Sequence, residues 1–108
     1  MSEKNNEFRR IVDIVVECSA IDIQNREELK EKVLSQCREE YIVMMRCMLA
    51  RMLAFAGFTN TTIGIVLHRT PQSIRHLLDL ARDFRTHNRL YRIAEDEAVR
   101  EYQEYESK

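Results

Sequence analysis

The sequence predicts an all-α fold: a compact bundle of about five helices containing a helix-turn-helix. Three observations predict it. The 108 residues include only two Gly and one Pro, little material for hairpins. No alternating apolar and polar run lies between turn signals, so strands have no support. Apolar residues recur instead at spacings of three and four, the period of a helix packed on one side. At this length the chain, residues 1–108, is read as a single domain with one core.

The elements follow in order. Phe8, Ile11, Val12, Val15 and Val16 predict an amphipathic helix over 7–18. Ser, Asp and Asn make 19–26 a loop, with Ile21 and Ile23 tucked under it into the core. A second helix starts near Arg26 and has the apolar pattern to run to Ala56. Its apolar set includes Val33, Leu34, Cys37, Tyr41, Met44, Met45, Met48, Leu49, Met52, Leu53 and Phe55. That set is wide enough for burial on more than one side, as in a central helix. Its length exceeds that of an ordinary globular helix, so a break is expected near 35–41. Gly57 stands where a helix stops. Thr59 caps a short helix over 60–67, and Leu67-His68-Arg69 makes a turn. Thr70 caps the next helix, with Pro71 in the first position, where a missing N–H is harmless. That helix runs to about Arg85, burying Ile74, Leu77, Leu78, Ala81 and Phe84. A last helix runs through Leu90, Tyr91, Ile93, Ala94, Ala98, Tyr102 and Tyr105, with an acidic end over about 99–108 that is expected to fray.

Net charge is −1, but it is unevenly spread. Residues 1–41 hold seven basic and ten acidic groups, a net of −3. Residues 42–92 hold eight Arg, no Lys, and only Asp79 and Asp83, a net of +6. Residues 93–108 hold two basic and six acidic groups, a net of −4. Such asymmetry is an electrostatic footprint for a polyanion, and Arg forks onto phosphate and guanine better than Lys does. The competing explanation is a set of solvated helix faces.

Residues 59–85 carry the functional reading. Two helices joined by a tight turn are the unit that lays its second helix in the major groove of DNA. Ile63, Leu67, Ile74, Leu77 and Leu78 lock the pair together, and Gly64 offers a small residue where a helix crosses. Gln72, Ser73, Arg75 and His76 are the first side chains beyond the Thr70 cap, flanked by Arg69. Such groups hydrogen-bond phosphates and base edges.

The chain resembles the C-terminal DNA-binding domain of the bacterial replication initiator DnaA, a helix-turn-helix domain of the tryptophan-repressor-like group. The resemblance spans roughly residues 8–90. It rests on IVDIVVECSAIDI, on Ala50-Arg51, on Thr59 followed by Ile63-Gly64, and on Arg69 leading into TPQSI. It implies that Arg51 holds phosphate, that Arg69 contacts DNA at the groove entrance, and that Thr70, Pro71, Gln72 and Ser73 occupy the base-reading turn. His68 stands where the family has Gly, and Thr70-Pro71 replaces the family's Asp-His, so the family's own target sequence is not implied. No GxxxxGK[ST] motif is present for a nucleotide phosphate.

Other classes have less support. Cys18, Cys37 and Cys47 show no CxxC spacing and read as buried thiols, so no metal or cofactor is expected. His68, His76 and His87 form no pattern with a nucleophile, and the adjacent carboxylates diverge around a helix, so no catalytic residue is assigned. No run of about 18 apolar residues exists to cross a membrane, and the polar start has no leader pattern, so the chain is expected in the cytoplasm. The function expected is sequence-preferring binding to double-stranded DNA, in regulation of transcription or replication, with a homodimer or helper protein enlarging a small footprint. The alternative is a helical protein–protein adaptor that keeps the fold without DNA.

Overall fold

Six helices follow one another in the computed structural model, which describes residues 3–19, 26–36 and 38–107, the side chains of 3–5, 19 and 26 excepted. They are α1 (Glu3–Ser19), α2 (Arg26–Leu34), α3 (Glu40–Phe55), α4 (Asn60–Leu67), α5 (Pro71–His87) and α6 (Arg89–Glu106). No strand occurs among the described residues. The expected positions of Ile21, Ile23 and Cys37 lie outside them.

α3 is the centre. It packs against each of the other five helices, which is why Ile42, Met45, Cys47, Met48, Leu49, Met52 and Leu53 are all buried. The wide apolar set read from the sequence has this cause, with two corrections. Tyr41 and Phe55, at the two ends of α3, are exposed; Phe55 meets the Tyr102 ring of α6 only edge-on, 6.3 Å between centroids. Burial pushes the Cys47 thiol up to about 12, so it stays protonated near neutral pH.

α2 ends at Leu34 and α3 begins at Glu40, so the long second helix is divided within the stretch its length suggested. The break holds no Gly or Pro. The carbonyls it leaves open are taken up by Arg46, which is buried on α3. Its Nε donates to the Val33 carbonyl at 2.8 Å, and Nη2 donates to those of Lys32 and Ser35 at 3.1 and 3.0 Å. Those carbonyls lie at the end of α2, where helical partners run out and a cation is favoured. A side chain of α3 thus folds back to satisfy the end of α2.

α3 and α4 end alike. At α3, the Gly57 N–H donates to Ala54 O at 3.0 Å and the Phe58 N–H to Leu53 O at 3.0 Å, with Gly57 at φ +99°. At α4, the His68 N–H donates to Ile65 O at 3.3 Å and the Arg69 N–H to Gly64 O at 2.7 Å, with His68 at φ +56°. Both are the Schellman pattern, which wants a left-handed residue. Gly suits it at 57; His68 holds the same conformation against its own Cβ. His68→Gly is therefore expected to raise stability by about 0.5–1 kcal/mol, and His68→Val to lower it by more. Urea unfolding measures both, and equal stability of all three proteins would remove the strain argument.

α6 begins at Asn88, whose Oδ1 accepts from the Tyr91 N–H at 2.9 Å. The acidic end expected to fray is helical to Glu106. The reason is Tyr102, which is buried and donates through its hydroxyl to Glu7 Oε2 of α1 at 2.6 Å. Tyr105 adds a ring beneath the Arg10 guanidinium, 5.5 Å from centroid to Cζ.

Candidate nucleic-acid interface

The helix-turn-helix forms between α4 and α5 because each helix carries its own start signal. Thr59 Oγ1 accepts from the Thr62 N–H at 3.1 Å, and Thr70 Oγ1 accepts from the Ser73 N–H at 3.1 Å. Pro71 occupies the first turn of α5. Ile63 and Leu67 of α4 and Ile74, Leu77 and Ala81 of α5 are buried against the core, so the pair is held from one side.

Gly64 has a different role from the one its spacing suggested. A Cβ there would lie 2.5 Å from the Arg69 carbonyl oxygen. The close neighbour is thus the turn's own backbone returning over α4, not a crossing helix.

The structure gathers five of the seven expected DNA-contacting residues. Thr70, Gln72, Ser73, Arg75 and His76 lie in the first two turns of α5. Gln72, Arg75 and His76 are exposed, and their spacing of three and four puts them on one face. Arg75 makes no ion pair among the described residues. Thr70 and Ser73 are joined by the cap bond, so they shape the turn. Beyond them the same face carries Asp79, Arg82 and Asp83, so a net positive face is confined to the beginning of the helix.

Arg51 is not gathered with these groups. Its Nε lies 3.2 Å from Glu95 Oε1, and the same oxygen accepts from Arg85 Nη1 at 2.8 Å. Arg85 sits near the far end of α5, roughly 20 Å along the axis from Gln72 at 1.5 Å per residue. Glu95 itself is buried and also accepts from the Tyr91 hydroxyl at 2.7 Å, while Arg85 Nη2 reaches Asp96 at 2.9 Å. The hydrogen bond to Asp96, reinforced by the charge of Glu95, holds the Arg85 guanidinium above its ordinary pKa. Burial first, then the bond to Glu95, drives the Tyr91 hydroxyl well upward.

Arg69 is also engaged within the chain. Its Nη1 donates to Leu67 O at 3.0 Å and its Nη2 to Ser35 O at 3.0 Å. Burial holds its guanidinium below the ordinary value.

The basic central block therefore divides. Arg46, Arg51, Arg69 and Arg85 bind carbonyls or carboxylates of this chain, and Arg92 reaches the Arg85 carbonyl at 3.2 Å. Arg75, Arg82 and Arg89 are exposed and make no ion pair among the described residues. Sequence reasoning missed the two buried ionic centres, Arg46 and Glu95. A signal for Glu95 existed: Tyr91, Glu95, Ala98 and Tyr102 share one helical stripe, and the other three are apolar or aromatic. Arg46 sits likewise in the stripe of Ile42, Leu49 and Leu53.

One group of possible metal ligands occurs among the described residues, Cys18 with Glu97 and Glu101, their ligand atoms within 4.8 Å of one another. Burial, then the two carboxylates, pushes the Cys18 thiol up to about 12, and a hydrogen bond with Glu101 adds to the rise. That shift keeps the thiol protonated near neutral pH, whereas a metal ligand is a thiolate. None of the helices is long and apolar enough to cross a membrane, within the described residues. Compared with protein-family models, with curated proteins and with solved structures, the chain matches none of them.

Proposed function

We propose that this protein binds double-stranded DNA with a preference for sequence, inserting the first two turns of α5 into the major groove. The observation that carries the reading is the outward face of Gln72, Arg75 and His76, directly beyond the Thr70 cap. Side chains at the start of a second helix reach base edges; Gln pairs bidentately with adenine and Arg with guanine. The resemblance to the DnaA C-terminal domain supports the same reading. On it the protein regulates transcription or replication from the cytoplasm, and a dimer or helper protein enlarges the footprint.

Mobility shift or fluorescence anisotropy across a salt series tests this. Log affinity is expected to fall with log salt at a slope of roughly −3 to −6, as for a handful of phosphate contacts. Gln72→Ala is expected to relax preference at one or two base pairs, by about 1–3 kcal/mol. Arg75→Glu is expected to weaken every duplex. A flat salt response would overturn the reading.

A second reading, the protein–protein adaptor, is favoured by one observation. Leu90 is 78% exposed and Ile93 is also exposed one turn later on α6, while five of the eight central arginines bind within the chain. A flat salt response together with a stable protein complex lost on Leu90→Asp would establish it.

A further inference from the structure

We infer that Arg69 is a positioning residue for the reading helix and makes no contact with phosphate. The inference rests on the DNA-binding reading above, and it reverses the role that the resemblance implies for this residue. Arg69 is held by three hydrogen bonds. Its N–H donates to Gly64 O at 2.7 Å. Its carbonyl oxygen packs close over Gly64, 2.5 Å from where a Cβ on that residue would lie. Its Nη1 closes onto Leu67 O, two residues back, at 3.0 Å. Its Nη2 reaches Ser35 O, in the α2–α3 connection, at 3.0 Å.

The next residue is Thr70, the cap of α5. Whatever holds Arg69 therefore sets where α5 begins. The Ser35 carbonyl is itself anchored, since Arg46 Nη2 donates to it at 3.0 Å from the buried face of α3. The chain of contacts runs from the central helix, through one carbonyl, to the residue before the reading helix. A planar guanidinium suits this task, because its fixed fork spans two carbonyls at once. Swinging Arg69 out to a phosphate would break both side-chain bonds and strip the turn of its tie to α3. Arg75, exposed and without an ion pair among the described residues, is the better placed phosphate or base ligand.

The three possible roles give different binding patterns. A phosphate ligand adds the same attraction to every sequence and about 0.9 to the salt slope. A positioning residue adds preference, because base contacts depend on register while counter-ion release does not. A residue important only for folding moves the melting temperature and neither binding quantity.

The test uses the full chain, with a preferred duplex selected from a random pool and a random duplex of equal length. Affinity for each is measured across salt for the wild type, Arg69→Lys, Arg69→Gln and Arg75→Gln, with melting by circular dichroism. For Arg69→Lys and Arg69→Gln the ratio of preferred to random affinity is expected to fall about tenfold, the scale of losing one base-pair contact. The salt slope and the affinity for random duplex are expected to stay as in the wild type, while Arg75→Gln lowers the slope by about one. Arg69→Lys decides the matter even if Arg69→Gln fails to fold. Lysine keeps a phosphate contact but lacks the fixed fork whose two nitrogens reach Leu67 O and Ser35 O separately. An unchanged ratio in Arg69→Lys overturns the inference. So does a slope that falls by about one in a folded Arg69→Gln. Absence of salt-dependent binding by the wild type would overturn the DNA reading itself and the positioning role with it, and that result is visible before any variant is compared.

Discussion

Removing Arg51 and Arg85 together is expected to destabilise the protein by about 3–5 kcal/mol, well beyond the sum of the two single losses. The reason is the position of Glu95. Its side chain is 4% exposed, while those of Arg51 and Arg85 are 38% and 34% exposed. The arginines can return to water; the carboxylate cannot. With one arginine gone the other still faces Oε1, and the Tyr91 hydroxyl still donates to Oε2. Each single alanine variant should therefore cost about 1 kcal/mol, the scale of a partly exposed pair. With both gone, a buried charge keeps one neutral donor. Adding Glu95→Gln to the double variant is expected to recover at least about 2 kcal/mol, since the amide oxygen still accepts from Tyr91 and no charge is buried. Thermal melting reads this easily, because 1 kcal/mol is worth roughly 4–8 °C in a chain of this size. Additive losses in the cycle would show that Glu95 is better hydrated than its burial indicates.

Gly64→Ala is expected to cost about 2–3 kcal/mol, although alanine is the better helix former by about 1 kcal/mol. The new Cβ would meet the Arg69 carbonyl oxygen at 2.5 Å. That oxygen cannot withdraw easily, because the same residue's N–H bonds Gly64 O and its side chain bonds Leu67 O and Ser35 O. The turn must open, and α5 must shift with it. A loss of sequence preference should accompany the loss of stability. Gly57→Ala makes a useful contrast: nothing lies within 4 Å of its added Cβ, and only the φ of +99° opposes it. Its cost is expected to be smaller, about 1–2 kcal/mol. Denaturant unfolding of the two variants compares the mechanisms. A Gly64→Ala protein more stable than wild type would show that the turn yields freely.

The starts of α4 and α5 and the turn between them were readable along the chain because their signals are local. Thr59, Thr70 and Pro71 act within four residues of where they stand, and so does the left-handed step at His68. The buried faces were readable because a helix repeats its facing direction every three or four residues. The exposed face of Gln72, Arg75 and His76 followed from the same periodicity. The break before α3 was legible only as excess length, since Arg46, which satisfies the end of α2, lies in the next helix.

Residue order alone settled the helical class, the caps and which side of α5 meets solvent, since all of these depend on neighbours within one or two turns. Folding in three dimensions decided which arginines remain free. Arg46, Arg51, Arg69 and Arg85 look alike as letters in a basic block, yet each is bound to an oxygen from elsewhere in the chain. A charge is legible in composition; its partner is set by packing between distant segments, 44 residues apart from Arg51 to Glu95, and no local rule reaches that far.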